Sequence, residues 1–179
     1  METDIKQNAV FFDRDGVLNN LVVRDGSFYS PQSFNDFHII DDAKEVINRV
    51  HKLGYLVIVV SNQPDISRGK LEQSELDKMT SMLFENLKVD DVFYCTHDDD
   101  NDTGCRKPAP GLFLAAQNKF NINFKKSFMI GDTWKDVGAA KNAGIAMILL
   151  DKNYNQDLKD VIRVKRLPDI ISLIKNGIQ

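Results

Sequence analysis

Short apolar runs recur along this chain, and each leads through a polar loop into a stretch whose apolar positions are three and four residues apart. The runs Ala9–Phe12, Tyr55–Val60, Asp91–Cys95, Ser127–Ile130 and Ile145–Leu149 predict strands, with Val161–Val164 as a weaker edge strand. YLVIVV and AMILL lack polar alternation, as strands buried on both faces should. Between the runs, Asp42–Leu53 puts Ala43, Val46, Ile47, Val50 and Leu53 on one helical face. Glu72–Leu87 does the same with Leu76, Met79, Leu83 and Leu87, and Pro110–Phe120, Trp134–Ala143 and Leu167–Lys175 continue the pattern. The Met and Phe stripes read as core. Strand and helix in alternation predict an α/β fold: a doubly wound, Rossmann-like parallel sheet flanked by helices.

Length and composition narrow this further. The 179 residues hold no internal repeat and no low-complexity linker, so one domain spanning 1–179 is expected. A formal charge of -3 and a pI near 5.6 argue against a nucleic-acid surface. No apolar stretch approaches the roughly 18 residues of a membrane span, and the polar start METDIKQNAV is not a secretory signal. A cytoplasmic protein, monomeric or weakly homo-oligomeric, is the expectation. The two cysteines, Cys95 and Cys105, can form one disulfide, but nothing else suggests an oxidising compartment.

In a doubly wound sheet, ligands bind outside the carboxyl ends of the strands, and the polar clusters fall there. The first strand runs into DRDG, the second into SNQPDISRG, the third leads to CRKPAPG, and the fourth runs into GDTWKD. Asp13 and Asp15 are two apart, so on a strand both carboxylates face one side. Asp132 brings a third carboxylate to the same edge. Oxygen ligands with room for water and a phosphate describe a Mg²⁺ site, and the cation offsets the crowding of like charges. Phosphoryl transfer needs a nucleophile, phosphate-holding groups and an acid for the leaving oxygen. Asp13 can be the nucleophile and Asp15 the acid and base. Ser61, Asn62 and Lys107 can hold the phosphate.

The set hhhDRDGhhN, SNQ, RKP and GDxxxD resembles the haloacid dehalogenase phosphohydrolases. Within them it is similar to the capless branch that contains heptose-bisphosphate and histidinol-phosphate phosphatases, over about Val10 to Leu149. The resemblance implies Asp13 as nucleophile and Asp15 as acid/base, with Ser61 and Lys107 on the phosphate. It also implies Mg²⁺ on Asp13, Asp132 and the Asp15 carbonyl, and Asp136 as a supporting residue. The gap Gly16–Asp41 has room for a hairpin flap and no cap domain, and Cys95–Pro108 is shorter still. An open site is expected from these gaps; the resemblance implies a small phosphorylated metabolite as substrate, with a sugar phosphate as the leading candidate and the making of surface-polysaccharide precursors as its setting.

The run SNQPDISRGK resembles the heptose branch, by which Arg68, Arg106 and Asn19 are candidates for contacting substrate. The branch also carries a structural zinc loop; here Cys95, His97 and Cys105 are present, but Thr103 stands where a fourth ligand, a cysteine, would be. Zn²⁺ is then an incomplete site unless Asp98, Asp99, Asp100 or Asp102 completes it. The loop's length matches histidinol-phosphate phosphatases better, so the two specificity signals disagree. Thr133 replaces a basic residue common in the branch, and Trp134 reads as an aromatic packed at the first helical turn, with a place bordering the pocket as the alternative. A receiver-like signalling domain fits poorly, since its phosphorylated aspartate follows the third strand, where this chain has Cys95 and Thr96. A catalytically silent module is the remaining alternative.

Overall fold

The computed structural model describes residues 6–98 and 103–177. Its centre is a six-stranded parallel sheet of β1 (Ala9–Phe12), β4 (Leu56–Asn62), β5 (Asp91–Cys95), β6 (Phe128–Gly131), β7 (Ala146–Leu150) and β8 (Ile162–Val164). Their order across the sheet is β5-β4-β1-β6-β7-β8. The chain steps outward from β1 through β4 to β5, then returns to the other flank of β1 and steps out through β6, β7 and β8. The reversal puts a topological switch point at β1, where a ligand crevice is expected.

The continuous apolar runs are explained by two cores, one on each face. Val10, Phe12, Val57, Val59 and Ile130 point to one core, which the helices α1 (Ala43–Lys52), α2 (Gln73–Met82) and α5 (Ile170–Asn176) help to cover. Ala9, Phe11, Ile58, Val60 and Met129 point to the other, under α3 (Gly111–Phe120) and α4 (Trp134–Ala143). Every residue of β1 is fully buried, so none can be polar without a partner. The first polar side chain beyond the strand is Asp13, where the chain meets the crevice, and it is paired with Lys107.

The space between β1 and α1 holds an antiparallel hairpin, β2 (Val22–Arg24) and β3 (Ser27–Tyr29), and no inserted domain. It stands off the sheet, with Val23, Phe28 and Tyr29 largely exposed. The helical pattern that runs to Leu87 is α-helical only to Met82 and continues as a π-turn over Leu83–Leu87. Leu83 and Leu87 stay buried in that turn. The pattern beginning at Leu167 opens as a 3₁₀ turn and becomes α5 at Ile170. No described helix is long and apolar enough to cross a membrane.

Candidate active site

The loops after β1, β4 and β6, together with the approach to α3, close around a cavity of about 710 Å³ at the switch point. Its walls include Asp13, Asp15, Ser61, Asn62, Lys107 and Asp132, with Arg106 and Lys135 at the cationic side and Leu21 and Phe28 from the hairpin segment.

Lys107 is the central cation. It is 3 % exposed, and its Nζ donates to Asp13 Oδ1 at 2.8 Å, Asp136 Oδ1 at 2.6 Å and the Val60 carbonyl at 2.9 Å. Burial opposes its charge, but Asp13 and Asp136 outweigh burial and hold its pKa above the ordinary lysine value. Asn62 fixes the backbone there: its side chain donates to the Lys107 carbonyl and accepts from the Lys107 N–H, both at 2.9 Å. Asn62 therefore serves the lysine's position while also lining the cavity. Ser61 Oγ accepts from Gln63 Nε2 at 3.0 Å and lies on the cavity wall.

The carboxylates differ sharply in their surroundings. Burial pushes Asp13 up to about 6, with Lys107 pulling down and Asp136 and Asp15 pushing up. Asp132 is pushed up to about 8, by burial first and then by Asp13 and Asp136. Asp15 goes the other way. Burial would raise it, but the Arg14 guanidinium forks onto both oxygens at 2.9 and 3.0 Å, and Gln63 and Asn19 donate at 2.8 and 3.0 Å. Arg14 itself is fully buried, with its guanidinium over the rings of Phe37 and Tyr94. Asp136 accepts Lys107 on Oδ1, while its Oδ2 takes the Thr133 hydroxyl at 2.7 Å and the N–H groups of Thr133 and Asp132 at 3.0 and 3.2 Å.

Two glycines are required by this crowding. A Cβ on Gly16 would lie 2.3 Å from Asp132 Oδ2, and its φ of +84° already favours glycine. A Cβ on Gly131 would meet Asp136 Cβ at 2.4 Å.

The donor set fits a hard divalent cation. Oxygens of Asp13, Asp132 and Asp136 lie within 4.8 Å of one another. Asp132 Oδ1 is buried without a hydrogen-bond partner among the described residues, and such an oxygen is costly unless a ligand satisfies it. Asp136 is already engaged on both oxygens, so Asp13 and Asp132 hold the coordinating capacity.

Several expected residues sit elsewhere than the sequence suggests. Arg68 does not line the cavity; it lies across Asp98 in a two-pronged pair at 2.5 and 2.6 Å and also reaches Asp65. Asn19 is fully buried and holds Asp15, with no place on the main cavity's wall. Trp134 is 56 % exposed rather than packed, and lines a smaller adjoining cleft of about 330 Å³. Arg106 is on the cavity wall, 7 % exposed, with a contact to the His97 carbonyl at 3.3 Å.

At the expected zinc loop, Cys95, His97 and Cys105 do converge, and Thr103 Oγ1 lies 3.2 Å from both His97 Nδ1 and Cys105 Sγ. The two cysteines are joined as a disulfide, however. A disulfide sulfur is not a thiolate, so the loop as it stands offers zinc no complete ligand set. Asp98 is taken by Arg68; Asp99, Asp100 and Asp102 lie outside the described residues.

Three residues of the site escaped the sequence reading. Arg14 and Gln63 sit inside DRDG and SNQ and clamp Asp15; a charged residue trapped between two aspartates at a buried strand end was the available signal. Tyr154, which donates to Asp132 Oδ2, follows the fifth strand of the reading with no local signal at all.

Comparison with known proteins gives the chain a family. The model of the haloacid dehalogenase-like hydrolases matches residues 22–144. The chain is 34 % identical over 154 residues to the D-glycero-β-D-manno-heptose-1,7-bisphosphate 7-phosphatase of Vibrio cholerae, covering 79 % of this chain and 80 % of that one. It is 32 % identical over 174 residues to the Helicobacter pylori (strain J99) protein of the same name, covering 93 % and 97 %. Among solved structures, the D,D-heptose 1,7-bisphosphate phosphatase of B. bronchiseptica, complexed with magnesium and phosphate, superposes with a TM-score of 0.83 at 22 % identity. That match covers 96 % of this chain and all of the other.

Proposed function

Because the chain belongs to the haloacid dehalogenase-like hydrolases and is a phosphatase among them, we propose that it removes one phosphate from a heptose 1,7-bisphosphate. The observation that carries the substrate is the run of relatives at 32–34 % identity that bear this activity in their names. A 28 % identical relative from Campylobacter jejuni acts by name on the α anomer rather than the β, so both anomers belong in the test.

In this reading Asp13 is the nucleophile. One of its oxygens bonds to phosphorus as the bond to the sugar oxygen breaks, giving an aspartyl-phosphate. Lys107, Ser61 and the Asn62 region hold the phosphoryl oxygens, and Asp15 gives the departing oxygen its proton. Asp15 then takes a proton from the water that attacks the aspartyl-phosphate. The clamp of Arg14, Gln63 and Asn19 keeps Asp15 ionised at rest, the form the second half needs. A phosphate dianion beside it favours protonation, the form the first half needs. Asp13, Asp132 and the Asp15 carbonyl would hold Mg²⁺, which when bound supplies positive charge to the phosphoryl oxygens. Asp136 supports Lys107, and Arg106 and Lys135 face the sugar and its second phosphate.

In a reducing compartment such as the cytoplasm, where we place the protein, Cys95 and Cys105 would be thiols. With His97 they then offer three of the four ligands of structural zinc. Metal content of protein purified under reducing conditions tests this: about one zinc per chain supports the site, and none overturns it. A single domain over 1–179 completes the proposal.

The decisive experiment is phosphate release with Mg²⁺ from both heptose 1,7-bisphosphate anomers and from histidinol phosphate, with Asp13→Asn as the blank. Preference for a heptose anomer supports the proposal. Preference for histidinol phosphate sinks the substrate reading, and no release above the blank from any of them sinks it too, in favour of another phosphoester or a catalytically silent module.

A further inference from the structure

Tyr154 belongs to none of the four motif loops, yet it reaches the cation site. It lies in a 3₁₀ turn, Asn153–Asn155, just beyond β7. Its hydroxyl donates to Asp132 Oδ2, while Asp132 Oδ1 is buried with no partner among the described residues. One oxygen of this carboxylate is held and the other is buried without a partner among the described residues.

The turn that carries Tyr154 is built to stay in place. Asn155, 2 % exposed, donates to the Asp132 carbonyl at 2.7 Å and to the Leu150 carbonyl at 3.0 Å. Its Oδ1 accepts from the Lys152 N–H at 3.1 Å and from Arg163 Nη1 at 3.0 Å. Arg163 also donates to the Asn155 carbonyl at 2.7 Å and to Asp151 at 2.8 Å, which joins the turn to β8. The Tyr154 ring is steadied from the other side by Phe28 of the hairpin, with centroids 5.2 Å apart. Gly16 leaves just enough room for the phenol oxygen, since a Cβ there would stand 3.1 Å from it.

We propose that Tyr154 is a positioning residue for the divalent cation: its hydroxyl fixes the Asp132 carboxylate so that Oδ1 points at the ion. This rests on the reading that Asp132 is a cation ligand. A carboxylate turns about its terminal torsion over a broad well, so a bare aspartate must be ordered when the ion arrives. A phenol donor on one oxygen orders it beforehand. Packing against Phe28 needs only the ring; the hydroxyl is what distinguishes tyrosine from phenylalanine here. Outer partners of this kind carry about 10–100-fold in metal affinity.

The test is Tyr154→Phe, which keeps the ring and removes the donor. Titration calorimetry of the full chain with Mg²⁺ alone should show affinity about tenfold or more below wild type. Half-saturating Mg²⁺ for phosphate release should rise by the same factor, with kcat at saturating Mg²⁺ retained. The melting temperature without metal should fall only by the few degrees that one hydrogen bond contributes, which separates positioning from general loss of structure. Equal affinity overturns the proposal. Tighter binding also overturns it, since the hydroxyl would then be competing with the ion. No Mg²⁺ binding by the wild type would remove the cation reading itself, and this inference with it.

Discussion

Lys107→Met removes one ammonium and keeps a stem of similar length, so its effect isolates the charge. In the native protein that ammonium touches Asp13 and Asp136 at 2.8 and 2.6 Å in a setting only 3 % exposed. Losing one partner of a buried ion pair costs about 3–5 kcal/mol, because the other charges stay buried. The cost depends on pH. Asp13 titrates at about 6 when folded, above its ordinary 3.8, so the folded state takes up a proton and its stability falls as pH rises through that window. Lys107 is the chief influence holding Asp13 down. Without it the folded value climbs further, by one to two units if the pair is of ordinary strength, and each unit is about 1.4 kcal/mol. Urea unfolding in EDTA should therefore show Lys107→Met destabilised by about 4 kcal/mol at pH 8 but by only about 2 at pH 5. Equal destabilisation at the two pH values, or less than about 1 kcal/mol at pH 8, would refute the argument.

Three further outcomes follow from the same geometry. Asp13→Asn should lower kcat by at least about 10³-fold with any accepted substrate while leaving a folded protein, as stopped assays and circular dichroism would show. Gly16→Ala forces a Cβ to within 2.3 Å of Asp132 Oδ2 at a φ of +84°; it should cost about 2 kcal/mol in urea unfolding and weaken Mg²⁺ binding. Arg14→Met strips the fork from buried Asp15 and should cost about 3–5 kcal/mol at pH 7, with a midpoint shift smaller than about 1 kcal/mol counting against the clamp.

The sheet was legible because its strands are buried on both faces, a condition that leaves unbroken apolar runs in the sequence. β1 and β5 end where the runs end, and α4 begins and ends at Trp134 and Ala143. Residues tied to a strand end were equally readable, since the backbone itself carries Asp13, Asp15, Asn62 and Asp132 to the carboxyl edge. Side chains that choose their partners across the fold were not. Arg68 follows the SNQ loop in sequence but is drawn onto Asp98, thirty residues away. Trp134 occupies a first helical turn whose outer side faces solvent and the small cleft instead of the core. Tyr154 reaches Asp132 only because Asn155 and Arg163 fold its turn back over the sheet edge. No periodicity records such a closure.

The crowding of ionisable groups around Lys107 has a consequence for ion traffic. Asp13, Asp15, Asp132 and Asp136 share this pocket of buried residues with three cations, Arg14, Arg106 and Lys107, an excess of one negative charge. The two carboxyls that burial pushes up, Asp13 to about 6 and Asp132 to about 8, are the ones that take protons in its place when no metal is bound. A divalent ion held by Asp13 and Asp132 would then enter by exchange, displacing up to two hydrogen ions. Its apparent affinity should fall about tenfold per unit of acidification between about pH 8 and 6, and about 100-fold per unit below that. Calorimetry in buffers of different ionisation heat counts the protons released, and a count of zero at pH 6 would refute the exchange. With such an exchange in place, acidification of the surrounding medium would idle the enzyme by emptying it of metal.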